Sequence, residues 1–165
     1  MIEFTFALLP LLMMIFVLLD AAWGIFVKST LAYAVRAGVR AGISITGTQA
    51  KTANSDLTTM VKKTVQASAL GFLAGDTGLA KIQVHYFLPP TAGSSDPAAD
   101  VSGLATGNAQ LNIMQVSVRG FQVSPLVSRI YGLRKGVDSS SASVSAIAAD
   151  LIEPSRDLPP IGAAP

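Results

Sequence analysis

The hydrophobic pattern divides the chain into an apolar N-terminal stretch and a mixed remainder. Between Phe4 and Val27 nearly all side chains are apolar, and Asp20 is the only charged residue. As a helix, a run of this length is long enough to cross a hydrocarbon core of about 30 Å with some tilt. We therefore predict a membrane span over residues 4–27.

The helical pattern does not stop at the end of the span. Residues 28–45 remain helical in period but become amphipathic, and Gly47 is the predicted end. At about 1.5 Å per residue, one continuous helix here would be roughly 65 Å long. Residues 1–47 are therefore predicted to form a single helix whose second half lies outside the membrane, against a soluble head.

Two stripes repeat every four residues along the second half of this helix. One is a basic edge, which is most simply a solvated face but could also meet anionic head groups or acidic partners. The other is a flat face of small residues, which predicts close packing against a sheet or another helix because glycine inside a helix costs about 1 kcal/mol relative to alanine. The basic stripe is Lys28, Arg36 and Arg40, and the small face is Ala34, Gly38 and Gly42.

Four residues in the apolar stretch depart from its pattern. Pro10 removes a helix hydrogen bond and predicts a kink or a flexible turn, and Gly24 makes a notch where another helix could approach. Asp20 either lies near the membrane surface or pairs with a basic group on a partner subunit, because a buried charge at mid-membrane costs about 3 kcal/mol. Glu3 is either a polar helix start or the partner of a positive charge on a neighbouring chain.

The rest of the chain, 48–153, predicts a small α+β head. We expect a polar turn at 48–56, a helix capped by Asn54 or Ser55 and stopped at Gly75, and a short helix at 125–131 followed by a charged turn at 133–138. Alternating residues predict three strands, with bulges near Met114 and Gly120 in the second, packed as an antiparallel sheet. The strands are Lys81–Leu88, Leu111–Val123 and Ser141–Ile152.

Two further segments lack a folding pattern. Residues 91–109 are a low-complexity loop, which we expect to be either mobile or a contact loop in an assembly. Residues 154–165 contain too much proline and too little apolar surface to fold alone, so we expect a flexible tail.

Composition adds little chemistry. The 165 residues carry a net charge of +2, too small to indicate nucleic acid, and contain no cysteine. The only histidine, His85, lies on the polar face of a predicted strand, where a surface role is far commoner than a metal or catalytic one. We see no phosphate loop, metal-ligand cluster or nucleophile motif, so we expect neither an enzyme nor a cofactor.

The N-terminal residues resemble the TadE/TadG-like family, the pseudopilins of the tight-adherence (Flp) pilus system. The resemblance rests on Glu3-Phe4 heading an apolar helix, on Pro10 and Asp20 within it, on Lys28 after it, and on an Ala-Arg-Gly-Arg signature at 34–40. The far end is similar more weakly, through the strand at 114–118, Phe121, the Ser-Pro-Leu segment at 124–126 and the terminal Glu153-Pro154.

The resemblance implies a pilin-like fold and a structural role. The chain would be a membrane-anchored subunit for assembly of a tight-adherence type IV pilus, with its head outside the inner membrane. Its partners would be membrane lipid, other pilin-like subunits, pilus assembly proteins and a prepilin peptidase. Glu3 and Phe4 would mark the assembly and processing region, with Glu3 neutralising the amino terminus of a neighbouring subunit. An envelope scaffold or binding module that stays in the membrane is the alternative.

Three departures from the family pattern matter, and the most important is the lack of a basic leader before Glu3. Glu3 and Pro10 are seven residues apart where six is usual, and Ala37 stands where the family carries a glutamate. No basic residue precedes Lys28, which disfavours a cleaved secretory signal and, taken alone, would place the head in the cytoplasm. We expect that a basic leader preceded Glu3, since such a leader would place the head outside.

Overall fold

The computed structural model describes residues 2–90, 98–125, 142–153 and 157–162. One helix, α1, runs over Ile2–Ser44 and continues through Pro10. The prediction of a single helix across the span and its extension is confirmed. It ends at Ser44, whose hydroxyl donates to the carbonyl oxygens of Arg40 and Ala41, the latter at 3.0 Å. Gly47 therefore does not end α1.

A second, short helix, α2, occupies Gly47–Thr52, where we predicted a polar turn. Its start is a capping box, in which the amide of Gln49 donates to the hydroxyl of Thr46 and the amide of Thr46 donates to the side chain of Gln49. This pair satisfies two amides that a helix end would otherwise leave without partners. The prediction of a turn here was wrong because Gly47 was taken as a stop.

The helix α3, Leu57–Ser68, begins and ends at different residues from those predicted. Its cap is Asp56, whose carboxylate accepts a hydrogen bond of 2.6 Å from the amide of Thr59, so neither Asn54 nor Ser55 caps it. It ends before Leu70 and Gly71, which both have positive φ, at 49° and 84°. Gly75 was predicted to stop this helix and instead begins a short helix, α4, Gly75–Leu79.

The three predicted strands are confirmed as an antiparallel sheet in the order β1-β2-β3. The ladder between β2 and β3 shifts register between Val118 and Phe121, where Gly120 has a φ of 66°. The predicted bulge at Gly120 is therefore present, whereas the pairing through Met114 is continuous and the bulge predicted there was wrong. The strands are β1 Ile82–Phe87, β2 Ile113–Val123 and β3 Ala142–Leu151.

Part of the predicted low-complexity loop is packed against the sheet. The amide of Val101 donates to the carbonyl of Tyr86 at 2.8 Å, and that of Leu88 donates to the carbonyl of Ala99. Ser102 and Asn108 are buried. Residues 99–101 therefore pair along the edge of β1, and turns follow up to residue 109. Residues 91–97, the predicted helix beyond Pro125 and the turn at 133–138 lie outside the described residues.

The C-terminal segment 157–162 also differs from the flexible tail that we expected. The amides of Gly47, Leu57 and Thr58 donate to the carbonyls of Asp157, Pro160 and Ile161. The Thr58 hydroxyl adds a bond of 2.6 Å to Ile161, whose side chain is buried. This segment cannot form a core alone, but it satisfies the backbone groups at the starts of α2 and α3 and is held by them.

The core lies between one face of the sheet and a layer formed by α3 and the second half of α1. The inward residues of β1 and β2 alternate as the strand period requires. The fold is the predicted α+β, pilin-like arrangement. Its fully buried large side chains include Leu31, Val35, Leu57, Val61, Val65, Leu73, Ile82, Val84, Tyr86 and Met114.

Candidate functional site

The first half of α1 protrudes from the head with its apolar side chains uncovered. Ala7–Ser44 is the one helix in the described part of the chain that could cross a membrane by length and composition, and the most apolar window in it has no buried residue. Exposure does not follow one face, because consecutive residues from Leu8 to Ile15 are exposed. We call residues 7–22 the protruding segment. Its most exposed large side chains are Leu9, Met13, Met14 and Val17.

The second half of α1 is bound into the head by its small face. Ala34 is fully buried. A Cβ at Gly38 would overlap the Cγ2 methyl of Val65 on α3, and a Cβ at Gly42 would lie 2.6 Å from the sulfur of Met114 on β2. The small face therefore lets α1 contact a helix and a strand at once, and α1 is fixed to the head from Val27 onward.

The basic stripe lies on the opposite, solvent-facing side of the same helix segment. Lys28, Arg36 and Arg40 are all exposed, and no ion pair joins any of them to another described residue. Alignment at four-residue spacing leaves these three charges on one side of the helix. The stripe is an available surface for anionic groups.

The residues singled out within the span are placed as follows. The backbone of Glu3 lies in the first turn of α1, and Phe4 is exposed. Pro10 is exposed, and a Cβ at Gly24 would meet nothing within 4 Å, so the notch at Gly24 faces no described part of the chain. Asp20 is half-buried, one turn before the head begins. Asp20 and Gly24 stand one turn apart on α1, whereas Phe4 and Pro10 lie nearer its start.

An aromatic cluster joins the end of the protruding segment to the head. The ring of Trp23 lies 5.8 Å from that of Phe26 and 5.8 Å from that of Phe72, which approaches it edge to face. Phe72 in turn lies 6.0 Å from Phe121, just after the bulge in β2. This cluster was not predicted, although Trp23 and Phe26 stand one turn apart at the end of the apolar run.

His85 belongs to a small polar network at the edge of β1. Its Nδ1 lies 3.1 Å from the Asp100 carboxylate, whose other oxygen accepts from both the hydroxyl and the amide of Ser102. The Ser102 hydrogen bonds, and to a lesser degree His85, lower the pKa of Asp100. The Ser102 hydroxyl oxygen accepts from the amide of Tyr86, so the network ties residues 100–102 to β1. In the described ranges no group of three His, Cys, Asp or Glu could hold a metal ion.

These features define a class of protein, a small α+β head carried on a long helix whose first half is apolar and uncovered. The family model of TadE-like proteins matches residues 1–40. This match confirms the resemblance over the protruding segment and most of the small face. Searches of the curated proteins and of the solved structures returned no match.

Proposed function

We propose that this chain is a membrane-anchored, pilin-like structural subunit, a pseudopilin or minor pilin, for assembly of a tight-adherence type IV pilus. The observation that carries the proposal is the division of α1 into an uncovered apolar half and a half bound into the head. The TadE-like match over residues 1–40 supports the connection to this pilus system. The role is structural, with no catalysis, cofactor or nucleic acid.

The protruding segment would be held in one of two apolar surroundings. Before assembly it would cross the inner membrane, with the head on the extracytoplasmic side. During assembly it would leave the bilayer and pack among the same segments of other subunits. Burying apolar surface is favourable by about 25 cal/mol per Å² in either place, so the transfer need not expose the segment to water. Exposure on all sides of the helix fits both surroundings.

Glu3 would make the contact that selects assembly over retention in the membrane. A carboxylate in the first turn of an apolar helix is costly unless it is paired, and the amino terminus of a neighbouring subunit would supply the opposite charge. Asp20 and Gly24, near the other end of the protruding segment, would then lie where neighbouring helices meet.

Substitution of Glu3 tests this role. Glu3→Ala should leave membrane insertion intact and abolish incorporation into sheared surface filaments, as measured by immunoblotting of the two fractions. Thr5→Ala, two residues away, is the matched control and should assemble normally. Normal piliation by the Glu3→Ala strain would refute the assigned role.

One observation favours a second candidate, an envelope scaffold that stays in the membrane. The exposed basic stripe offers a contact surface for acidic partners that a filament subunit does not need. Mass spectrometry of the N-terminus in the membrane fraction and in sheared filaments distinguishes the two. A chain processed near Glu3 in the filament fraction supports the subunit, whereas a chain found only in membranes supports the scaffold.

A further inference from the structure

The end of the head that is nearest the protruding segment lies beside the last turns of the apolar run. Trp23 and Phe26 lie inside the predicted span, yet both contact Phe72, which follows α3, with ring centroids 5.8 and 6.1 Å apart. Val27, one residue after Phe26, is already buried in the head. No spacer therefore separates the span from the head.

This arrangement determines where along α1 the bilayer ends. Residues 4–22 rise about 28 Å as a helix, close to the thickness of a hydrocarbon core. A bilayer that covers them ends at Trp23, and its headgroup layer then surrounds the next turns of α1. The aromatic contacts place Phe72 and, next to it, Phe121 at that same level.

Leu70 is an exposed residue with an unfavourable backbone conformation. Its φ of 49° lies in the left-handed region that large residues rarely adopt. This conformation directs the chain away from α3 and leaves the Leu70 side chain 71% exposed. Leu70 lines a shallow cleft with Ser29 and Tyr33 of α1, and the described residues do not cover it. Ser29 follows Trp23 by six residues, about 9 Å along the helix, so Leu70 lies at the outer edge of the headgroup layer. A lipid environment would explain why an apolar side chain is kept outside the core here.

One cationic side chain contacts the aromatic residues, and two more lie close to them in the chain. Lys28 is exposed one residue after Val27, and the ammonium of Lys81 lies 5.3 Å from the centroid of the Phe121 ring. Arg119 is exposed, and its amide donates to the carbonyl of Lys81. Trp and Tyr with Lys and Arg at the end of an apolar helix are typical of the membrane–water interface, where anionic lipids attract the cations. Trp23 and Tyr33 of α1 fit this pattern.

We propose that Trp23, Phe26, Leu70, Phe72 and Phe121, here called the basal surface, are a lipid-contact site that seats the head in the headgroup layer of the bilayer crossed by α1. The proposal rests on the membrane anchoring proposed above. The occupant is the membrane rather than a second copy of the chain, because the basal surface is continuous with the segment that enters the bilayer and has the Lys81 ammonium against its Phe121 ring. The head would therefore be fixed in height and tilt instead of swinging on its helix.

The absence of cysteine from the sequence makes single-cysteine spin labelling a direct test. The full chain is reconstituted in vesicles of phosphatidylcholine and phosphatidylglycerol, with a nitroxide at one of three exposed positions. Leu70→Cys reports the basal surface, Val17→Cys the protruding segment, and Leu104→Cys, in the connection between β1 and β2, the control surface. Collision rates are measured with oxygen, which concentrates in the bilayer, and with a water-soluble nickel chelate.

The expected result is a gradient. The label at position 17 should collide mainly with oxygen and that at 104 mainly with the chelate. The label at position 70 should lie between them, with chelate collisions about twofold below those at 104 and oxygen collisions retained. Equal accessibility at 70 and 104, with 17 in the bilayer, would overturn the basal contact and leave anchoring intact. Protection of position 70 from both reagents would indicate a protein partner and would also overturn it. Water-like behaviour at all three would refute the anchoring itself.

Discussion

Gly42 of α1 faces Met114 of β2 so closely that a Cβ on the glycine would lie 2.6 Å from the methionine sulfur. The same Cβ would lie 2.8 Å from a methyl of Val61 on α3. Gly42 is thus the point at which the long helix, the second main helix and the central strand meet. The attachment of the protruding segment to the head depends on the absence of a side chain there.

Gly42→Ala should destabilise the head although alanine is the better helix former. The gain in helix propensity is about 1 kcal/mol, but overpacking a tight core typically costs about 1–3 kcal/mol, so we expect a net loss. Chemical unfolding of the full chain in detergent, followed by far-ultraviolet circular dichroism, measures the change. Gly24→Ala is the control, since a Cβ there meets nothing within 4 Å. Equal stability of the two variants would contradict the packing described.

Ile161 should contribute to the stability of the head although it lies near the end of the chain. Its side chain is 7% exposed, whereas that of Leu158 in the same segment is 46% exposed. Truncation of a buried Ile to Ala typically costs about 2–5 kcal/mol, toward the lower value where the site can collapse. We expect Ile161→Ala to lower the free energy of unfolding and Leu158→Ala to leave it nearly unchanged. If the two variants unfold alike, residues 157–162 do not hold the starts of α2 and α3 in solution.

The network around Asp100 predicts a loss of stability in acid. Because the Ser102 hydrogen bonds lower the pKa of Asp100 in the folded chain below its ordinary value of 3.8, folding favours the ionised carboxylate. This contribution is complete above the ordinary pKa and is lost as the pH falls through the lower, folded value. The carboxylate is half exposed, so the effect is expected to be small.

Ser102→Ala should reduce that acid dependence. Removing the hydroxyl raises the folded pKa of Asp100 toward its ordinary value, so the difference in stability between neutral pH and strong acid becomes smaller. Thermal unfolding across this pH range measures the difference. Ser143→Ala, an exposed serine on β3, is the control and should retain the slope of the parent chain. A Ser102→Ala variant that retains it too would exclude the Ser102 hydroxyl as a source of the acid dependence.

The helices and strands of this fold can be predicted from the spacing of hydrophobic residues wherever that spacing reflects which residues are buried. The small face of α1 is visible in the sequence because Gly38 and Gly42 recur at helical spacing, and the structure places both against bulky side chains. The capping box at Thr46 and Gln49 was also readable, as a threonine followed three residues later by a glutamine. It was missed because glycine is a strong stop signal and Gly47 lay inside the pattern.

Contacts between distant segments could not be read in the same way. The packing of Ile161 on the start of α3 involves a partner about a hundred residues away, and a proline-rich tail gives no periodic signal of burial. The contact between Trp23 and Phe72 has the same character. Each residue alone suggests only an apolar position, and the aromatic cluster exists because the turn at Leu70 and Gly71 brings the chain back beside α1.

Two exposed leucines with positive φ allow the basal contact to be separated from backbone strain. Leu70 and Leu111 have φ values of 49° and 69° and are 71% and 53% exposed. The left-handed conformation costs a non-glycine residue about 1–2 kcal/mol. Glycine removes that cost and adds about 0.5–1 kcal/mol of unfolded-state entropy. In detergent, Leu70→Gly and Leu111→Gly should therefore both leave the head equally stable or slightly more stable.

In vesicles the two variants should differ. Leu70→Gly removes a side chain from the proposed lipid contact, so its stability relative to the parent chain should be lower in vesicles than in detergent. Leu111→Gly, away from the basal surface, should show the same change in both. Thermal unfolding of the full chain is compared in the two media. The effect of Leu70→Gly on the backbone is the same in both, so the difference in its effect on stability between vesicles and detergent measures the lipid contact. If both substitutions respond identically to the change of medium, Leu70 is exposed to water in the bilayer-bound chain, and its unfavourable φ has no explanation in lipid binding.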